Sequence, residues 1–276
     1  MQTDRDTLFQ NLWEHYCEVT PSAQRIHGLL DSSQGKSIVN DHIALRTFNL
    51  DKVNLEKLAA HFETLGYRQG GEYHFDAKKL YARHFEHPDP TAPKVFISEL
   101  LVEQCSETLQ AIVHGLTDGM DPSVVTDSQF LCSGRHWSLD YATYQALLEE
   151  SEYAAWLAAW GYRVNHFTVS VNHLSQFRTL TEVNQTLKDE GYRLNSSGGE
   201  IKGSPEELLE QSSTLADRDD VDFSDQTASI PSCFYEFALR YPTPDGRLYS
   251  GFVSASADKI FESTYSKHTD QADAST

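Results

Sequence analysis

Residues 40–47, with the sequence NDHIALRT, alternate ionisable or small side chains with apolar ones. This alternation predicts a β-strand, in which successive side chains point to opposite faces of a sheet. The two faces are His42, Ala44 and Arg46 against Ile43, Leu45 and Thr47. The second face is suited to packing under helices. The first face places a small residue beside an imidazole, which leaves room there for a ligand.

The same pattern recurs later in the chain, where VNHFTVSV begins at Val164 and places His166 near the start of a strand. Each of the two strands is followed by a helix-like segment that ends in Gly-Tyr-Arg, at Gly66 and at Gly191. The spacing from the histidine to this glycine agrees to within one residue. These features indicate an internal repeat, in which His42 and His166 occupy equivalent positions.

A third strand of this kind is predicted within SCFYEFALRYP, residues 232–242. Its small-residue face begins with Glu236 and continues with Ala238. We expect the three faces to line one concavity, so that His42, His166 and Glu236 converge. Two imidazoles and one carboxylate are the facial triad of non-haem Fe(II) oxygenases, which leaves coordination positions open for substrate and dioxygen. The same donors also suit zinc.

Arg46 lies four residues after His42 on the same face of the predicted strand. At the usual rise of a strand it is roughly 13 Å further along that face. A guanidinium there can hold a substrate carboxylate through two hydrogen bonds while a metal binds the other end of the substrate. Taken singly, these residues also have structural explanations. A lone histidine is often a hydrogen-bonded core residue, Glu236 can pair with Arg240, and Arg46 can pair with a structural carboxylate.

Glu99 and Ser254 are two further candidates for the pocket. We place Glu99 at the position in the first repeat that Glu236 occupies in the second. It is either a fourth ligand or, as its apolar neighbours favour, a structural residue. The stretch GFVSASA, residues 251–257, is rich in small residues. It either lines the pocket, with Ser254 offering a hydroxyl to the substrate, or is a tightly packed strand.

Composition limits the classes of function. The chain has 276 residues, enough for one large domain or two smaller ones. Its formal net charge of -19 repels phosphate backbones and argues against a nucleic-acid partner. No apolar run approaches the roughly 18 residues that cross a bilayer, and the charged start lacks a signal core, which argues against a membrane partner. The four cysteines form no CxxC pair and predict reduced thiols in a cytoplasmic protein.

The pattern along the chain predicts a single α+β catalytic domain over residues 1–264 and a disordered tail over residues 265–276. Two helices open the chain. The first repeat unit spans about residues 38–103, a mostly helical connection spans residues 104–161, and the second unit spans residues 162–257. Within the second unit, Ser204 before Pro205, with Glu207 three residues on, predicts a capped helix.

These residues resemble a known family. The stretches NDHIALRTF, VNHFTVSVN, LLEQSSTLAD, CFYEFALRY and KIFEST are similar to motifs of the 2-oxoadipate dioxygenase/decarboxylase family. The resemblance runs from about Asn40 to Thr264. That family is similar in fold and metal site to the vicinal oxygen chelate enzymes. The resemblance therefore implies repeated βαβββ units that form a curved, half-open barrel sheet around a metal site, with flanking helices.

The resemblance also implies a site and a reaction. It implies Fe(II) bound by His42, His166 and Glu236, with Arg46 holding the substrate. The family reaction takes a 2-oxo diacid and O2, releases CO2 and leaves a 2-hydroxy acid one carbon shorter. From 2-oxoadipate the product is 2-hydroxyglutarate, in bacterial lysine catabolism. This chain is shorter than the characterised bacterial members, so we expect the elements that close its pocket to differ.

Two other classes of function remain open at the level of the sequence. The first is another metalloenzyme of the same fold class, such as a glyoxalase-like lyase, an extradiol-type dioxygenase or a zinc hydrolase. It predicts a preference for Zn or Ni, or no oxygen consumption with 2-oxo acids. The second is a binding protein that sequesters a small molecule without catalysis. It predicts no tightly bound metal, whereas the triad of ligands favours one. The sequence does not determine the oligomeric state.

Overall fold

The computed structural model describes residues 4–31 and 38–265. This part of the chain contains eight α-helices and ten β-strands, joined by turns and short 3-10 helices. The helices are α1 (Arg5–Glu18), α2 (Pro21–Leu30), α3 (Leu55–Glu63), α4 (Glu107–Asp118), α5 (Tyr141–Glu150), α6 (Glu152–Trp160), α7 (Leu180–Asp189) and α8 (Ser254–Ile260). The strands are β1 (Asn40–Phe48), β2 (Arg68–Phe75), β3 (Leu80–Glu86), β4 (Lys94–Leu100), β5 (Val164–Ser170), β6 (Lys202–Ser204), β7 (Leu209–Ser213), β8 (Arg218–Asp222), β9 (Thr227–Pro231) and β10 (Phe234–Arg240). Among these helices, none has the length and apolarity that a bilayer crossing requires.

Eight of the strands form one curled, mixed sheet in the order β2-β3-β4-β1-β5-β10-β7-β6. Strand β1 runs parallel to β4 and antiparallel to β5, and β5 runs parallel to β10. The other two strands, β8 and β9, pair with each other as a separate hairpin. Because β1 and β5 pair directly, both halves of the chain contribute to one continuous layer.

The two halves of the sheet share one βαβββ connectivity. In the first half, β1, α3, β2, β3 and β4 follow one another along the chain. In the second half, β5, α7, β6, β7 and β10 do so, with the β8–β9 hairpin inserted before the last strand. Each half extends outward from the central β1–β5 pair in the corresponding order. The three strands predicted to carry the site, β1, β5 and β10, are therefore neighbours in the middle of the sheet.

Helix α1 covers the outer face of these central strands. Its buried residues Leu8, Leu12 and Tyr16 recur at helical spacing, as expected for a helix that packs on one side. The rings of Trp13 and Tyr16 lie 5.0 and 5.1 Å from the ring of Phe167 on β5. The apolar face of β1 is buried on the same side of the sheet. The packing face predicted from the alternation is thus the face that packs under helices, and the histidine faces point to the inner side.

Two local predictions were wrong. The segment that starts at Ser204 is not a helix but the turn between β6 and β7. The backbone N–H of Glu207 does donate to the Ser204 hydroxyl, at 3.3 Å, but this hydrogen bond closes a hairpin turn. The stretch 251–257 is not a strand, because α8 begins at Ser254. Of the predicted tail, residues 266–276 lie outside the described residues.

Candidate metal centre

The side chains of His42, His166 and Glu236 meet on the inner face of the sheet. Each offers one ligand atom, two imidazole nitrogens and one carboxylate oxygen, and these atoms all lie within 4.8 Å of one another. The three residues are buried, with exposed fractions of 2%, 6% and 0%. The structure therefore brings together the three residues that the sequence singled out from strands far apart in the chain.

Strand register explains this convergence. Thr168 on β5 pairs with His42 of β1 on one side and with Glu236 of β10 on the other. His166 precedes Thr168 by two residues, so its side chain points to the same face. The hydroxyl of Thr168 lies 3.1 Å from Nε2 of His42. The three candidate ligands thus surround a small residue, which leaves space between them.

The donor atoms are arranged as a cation would require. Nε2 of His166 lies 3.0 Å from Oε2 of Glu236, and Nε2 of His42 lies 3.6 Å from Oε1 of Glu236. Within the described part of the chain, Oε2 of Glu236 is buried and has no hydrogen-bond donor other than the nearby Nε2 of His166. A buried carboxylate oxygen without a donor is costly unless a cation compensates it. The residues present therefore fit a bound divalent metal.

The residue before each histidine orients the imidazole. Nδ1 of His42 lies 2.8 Å from Oδ1 of Asp41, and Nδ1 of His166 lies 3.0 Å from Oδ1 of Asn165. An acceptor at Nδ1 keeps the proton there, so that Nε2 carries the lone pair that can bind a metal. Our sequence interpretation missed both partners. The signal was present, because an aspartate or asparagine directly precedes each ligand histidine.

The local environment also sets the protonation states. Burial disfavours ionisation of Glu236, but the imidazoles of His42 and His166 outweigh it, so the pKa of Glu236 is lowered. The side-chain amide of Gln211 on β7 also donates to Oε1 of Glu236, at 2.6 Å. Burial lowers the pKa of His166, against the attraction of Glu236. An ionised carboxylate beside a neutral imidazole is the state that binds a metal.

Arg46 is a buried guanidinium that has no carboxylate partner among residues 4–31 and 38–265. It donates to the hydroxyl of Thr264 at 3.3 Å. Its guanidinium carbon lies 5.0, 4.9 and 5.7 Å from the ring centroids of Tyr153, Trp156 and Phe261. Within the described residues, Arg46 makes no salt bridge and its Nε has no acceptor. Burial lowers the pKa of Arg46. Such a group provides a place for an anion.

Arg240, four residues after Glu236, has a different environment. It does not pair with Glu236, as one structural explanation had it, but with both carboxylate oxygens of Asp41, at 2.7 and 2.9 Å. Strands β1 and β10 run in opposite directions, since β5 is antiparallel to the first and parallel to the second. Arg46 and Arg240 therefore extend to opposite sides of the triad. In the part of the chain that the structure describes, Arg46 has no carboxylate partner, whereas Arg240 has Asp41.

The structure does not bring Ser254 and Glu99 to the triad. Ser254 is the exposed first residue of α8, and its predicted hydroxyl contact with the substrate stays a prediction. From the same segment, the ring of Phe252 packs against His42 instead, with centroids 4.8 Å apart. Oε2 of Glu99 accepts a hydrogen bond of 2.8 Å from the backbone N–H of Leu55, at the start of α3. Glu99 is thus a structural residue rather than a fourth ligand.

The strand register also corrects the equivalence drawn for Glu99. Glu236 lies opposite the residue two positions after His166. In the first half of the sheet, the residue opposite the second position after His42 is Phe96. The first repeat therefore carries a phenylalanine where the second carries the carboxylate, and the sheet has one such ligand set among its described strands.

A cleft of about 690 Å³ opens beside Arg46. It runs between the β2–β3 turn, the start of α6 and the residues after α8, and its lining includes Lys78, Tyr153, Phe261 and Tyr265. The three triad residues do not line it. Of the proposed site residues, Arg46 is thus the one that the cleft reaches.

The curled sheet of two βαβββ halves, with a buried ligand set across its central strands, defines a vicinal oxygen chelate-like protein. A crystal structure from Ralstonia eutropha, provisionally placed in the glyoxalase superfamily, has this fold. It superposes with a TM-score of 0.74 at 22% identity and covers 90% of this chain and 85% of that one. The predicted fold class is confirmed.

The chain belongs to the 2-oxoadipate dioxygenase/decarboxylase family. The family profile matches residues 6–122 and 114–248. The chloroplastic/amyloplastic 2-oxoadipate dioxygenase/decarboxylase of Oryza sativa is 38% identical to it, over 94% of this chain and 78% of that protein. The predicted membership in this family of oxidoreductases is therefore confirmed.

Two crystal structures agree closely with this chain along its length. Hydroxyglutarate synthase from Oryza sativa, in complex with 2-oxoadipate, superposes with a TM-score of 0.88 at 36% identity. The match covers 96% of this chain and 93% of that one. A protein from Shewanella frigidimarina, provisionally described as a hydrolase, superposes with a TM-score of 0.88 at 61% identity. That match covers 92% of this chain and 99% of the other.

Proposed function

We propose that this protein is a metal-dependent dioxygenase/decarboxylase that acts on a 2-oxo diacid. The expected substrate is 2-oxoadipate, which with O2 gives 2-hydroxyglutarate and CO2. The observation that carries the proposal is the buried cluster of His42, His166 and Glu236, whose ligand atoms lie within 4.8 Å of one another. The name of the rice relative and the 2-oxoadipate in the rice hydroxyglutarate synthase structure support the choice of substrate.

Fe(II) is the proposed metal. Two histidines and one carboxylate are typical of non-haem Fe(II) oxygenases, although Zn or Ni also suits these donors. When bound, Fe(II) supplies open coordination positions for the 2-oxo acid and O2 and the electrons for oxygen activation. The imidazoles of His42 and His166 would hold it through Nε2, and Glu236 through a carboxylate oxygen. Gln211 keeps that carboxylate oriented through its hydrogen bond to Oε1.

Arg46 is the proposed partner of the distal substrate carboxylate. The protein is strongly acidic, with 41 acidic against 22 basic side chains, so a dianionic substrate needs local positive charge. Arg240, on one side of the triad, is already neutralised by Asp41. Arg46, on the other side, is buried and has no carboxylate partner among the described residues. The diacid would therefore extend from the metal towards Arg46.

Aromatic rings shield the candidate centre from water. The ring of Phe252 packs edge-on against His42, with centroids 4.8 Å apart. The ring of Phe234 stacks on His166, with centroids 4.5 Å apart. Excluding water strengthens the electrostatic contacts of the bound substrate and limits side reactions of oxygen. These residues act by exclusion, because their side chains offer no donor or acceptor.

We also propose a cytoplasmic location and a role in lysine catabolism. The family resemblance supports the metabolic role. The four cysteines are free, and burial raises the pKa of Cys233 and Cys17 to about 12, which keeps both thiols protonated at neutral pH. Free cysteines are typical of reducing compartments.

The test is anaerobic reconstitution with Fe(II), followed by oxygen uptake and CO2 release with a panel of 2-oxo acids. We expect equimolar consumption of O2 and 2-oxoadipate and formation of 2-hydroxyglutarate. His166→Ala and Glu236→Ala should each lose both metal and turnover while circular dichroism shows a folded protein. His114→Ala is the matched control, since His114 is exposed on α4. Iron retained at unit stoichiometry in the two ligand variants would refute the assignment.

The same experiment separates the other functions. Oxygen-independent turnover with Zn or Ni would support a glyoxalase-like lyase or a zinc hydrolase, and oxygen uptake with catechols would support an extradiol-type dioxygenase. A protein that binds no divalent metal, and whose ligand affinity is unchanged in a His42→Ala variant, would be a small-molecule binding protein.

A further inference from the structure

Arg240 contacts two separate parts of the molecule at once. It is buried at the end of β10, and its Nε and Nη2 donate to the two carboxylate oxygens of Asp41. Its Nη1 donates to the backbone carbonyls of Tyr249 and Gly251, at 2.9 and 2.7 Å. All three nitrogens of the guanidinium are therefore engaged, and they join the start of β1 to the segment that follows β10.

On the first side, the contact leads to a candidate metal ligand. Oδ1 of Asp41, which accepts from Arg240, also lies 2.8 Å from Nδ1 of His42. The attraction of Arg240 and the hydrogen bond from His42 outweigh burial and lower the pKa of Asp41. A carboxylate behind a ligand histidine fixes the ring orientation and makes Nε2 a stronger donor to a metal. Without Arg240, Asp41 would be a buried carboxylate with one partner fewer, which is costly.

On the second side, the contact leads to the segment over the candidate centre. We call residues 241–253 the covering segment. Its Phe252 packs on the ring of His42, and the guanidinium of Arg240 lies 5.1 Å from the same phenylalanine ring. The backbone N–H of Phe252 donates to the hydroxyl of Tyr73 at 3.1 Å. The covering segment is thus held by Arg240 and by β2 at the point where it contacts His42.

We propose that Arg240 is a positioning residue for the metal centre, which aligns His42 through Asp41 and couples that alignment to the position of the covering segment. The proposal rests on the proposed metal site. It assigns no contact between Arg240 and the substrate. The position of the covering segment and the orientation of His42 depend on each other, because the guanidinium of Arg240 makes the hydrogen bonds to both sides.

The other ligand histidine provides an internal contrast. Nδ1 of His166 is paired with the neutral side chain of Asn165, whose Nδ2 has no partner among the described residues. No arginine takes part in that pair. The arrangement on the His42 side is therefore specific to one ligand and to the covering segment that packs on it, and it is not a general feature of the two repeats.

The test is an equilibrium metal titration of the full chain with Co(II) or Zn(II), in competition with a chelator. We expect Arg240→Gln and Asp41→Asn each to weaken metal binding by about 10- to 100-fold, the range found for changes behind a ligand histidine. The visible absorption of bound Co(II) should shift in both variants, because the geometry at His42 changes. The double variant should bind no more weakly than the weaker single variant, because both residues act through His42.

A second readout follows the covering segment. Amide hydrogen exchange at Phe252 should be faster in Arg240→Gln than in the unaltered protein, since two of the hydrogen bonds that hold the segment are lost. The matched control is Arg247→Gln. Arg247 lies in the same segment, is paired with Asp245 and has an 86% exposed side chain. It should leave the metal affinity, the Co(II) spectrum and the exchange rate unchanged.

Unchanged metal affinity in Arg240→Gln, or fully additive losses in the double variant, would overturn the proposal. If Arg240→Gln does not fold, Arg240→Lys replaces it, because lysine retains the charge but not the paired hydrogen bonds. Unchanged metal affinity in both Arg240→Lys and Asp41→Asn would also overturn the proposal. Failure of the unaltered protein to bind Co(II) or Zn(II) would overturn both the metal centre and the role of Arg240. Normal binding with unaffected variants would overturn the role of Arg240 alone.

Discussion

The environment of Arg46 suits a bound ligand better than it suits the stability of the fold. Arg46 is buried, and its Nε has no acceptor among the described residues. Its guanidinium carbon lies about 5 Å from the ring centroids of Tyr153 and Trp156. A buried cation without a counter-charge reduces stability, and cation–π contacts offset only part of that cost. A substrate carboxylate beside Arg46 would neutralise the buried charge and remove this cost in stability. Arg46 therefore favours the binding of a diacid.

Arg46→Met tests whether Arg46 lowers the stability of the free protein and strengthens substrate binding. The variant should keep its metal but raise the KM for 2-oxoadipate by about 10- to 100-fold, the value of one charged hydrogen bond. In the absence of substrate its thermal stability should be equal or higher, because the unpaired charge is gone. Steady-state kinetics and thermal unfolding measure the two effects. Arg83→Met is the control, since Arg83 on β3 is already paired with Glu56 on α3. An unchanged KM would remove Arg46 from the substrate role.

At the level of elements, the helices between the two repeats build one wall of the pocket. Helix α6 carries two of the three rings that surround Arg46, and Gly161 follows its last residue as the C-cap. Gly161 has φ +67°, and a Cβ built there would lie 2.2 Å from the backbone of Gly134. The backbones of Gly134 and Tyr162 exchange two hydrogen bonds at this crossing, of 3.0 and 2.9 Å. The close approach of the two chain segments therefore requires glycine.

Gly161→Ala should lower the free energy of unfolding by about 3 kcal/mol or more, because strain at positive φ adds to a backbone clash. Gly191→Ala is the matched control. Gly191 also ends a helix, with φ +84°, but a Cβ there meets no atom within 4 Å. It should cost only about 1 kcal/mol, the conformational strain alone. Urea unfolding measures both values, and equal losses would show that the Gly134 crossing is not tightly packed.

At the scale of the molecule, the continuous sheet makes the two repeats depend on each other. Strand β1 of one half pairs with β5 of the other, so separation would expose a long, apolar edge on each. Helix α1, at the start of the chain, packs on Phe167 of the second half. Helix α6 reaches the second half as well, since the indole N–H groups of Trp156 and Trp160 donate to the carbonyls of Ser232 and Pro231.

Unfolding in urea should therefore be a single cooperative transition, in line with the proposed single domain over residues 1–264. Tryptophan fluorescence reports on α1, on α6 and on the segment around Trp137, and far-ultraviolet circular dichroism reports on the whole chain. The two curves should coincide, as expected when no intermediate is populated. Two separated transitions would mean that the repeats fold as independent units and that the β1–β5 pairing is weak.

Much of the site was determined by the sequence itself. Alternation of small and apolar residues in NDHIALRT and VNHFTVSV fixes which side chains share a face, because strand geometry has a period of two. The repeat made His42 and His166 equivalent, and the residue types identified a metal-binding donor set. These inferences depend only on local geometry and on ligand chemistry, so they needed no knowledge of which strands are neighbours.

The tertiary structure decided what depends on neighbours. Register between strands placed Phe96, not Glu99, opposite the equivalent of Glu236, because alternation fixes a face but not a partner strand. The hydrogen bond from Glu207 to Ser204 serves a helix or a hairpin turn equally, and pairing of β6 with β7 selected the turn. Asp41 lies on the first strand of the chain, β1, and Arg240 lies on the last, β10. The two residues pair only because β1 and β10 run in opposite directions on either side of β5.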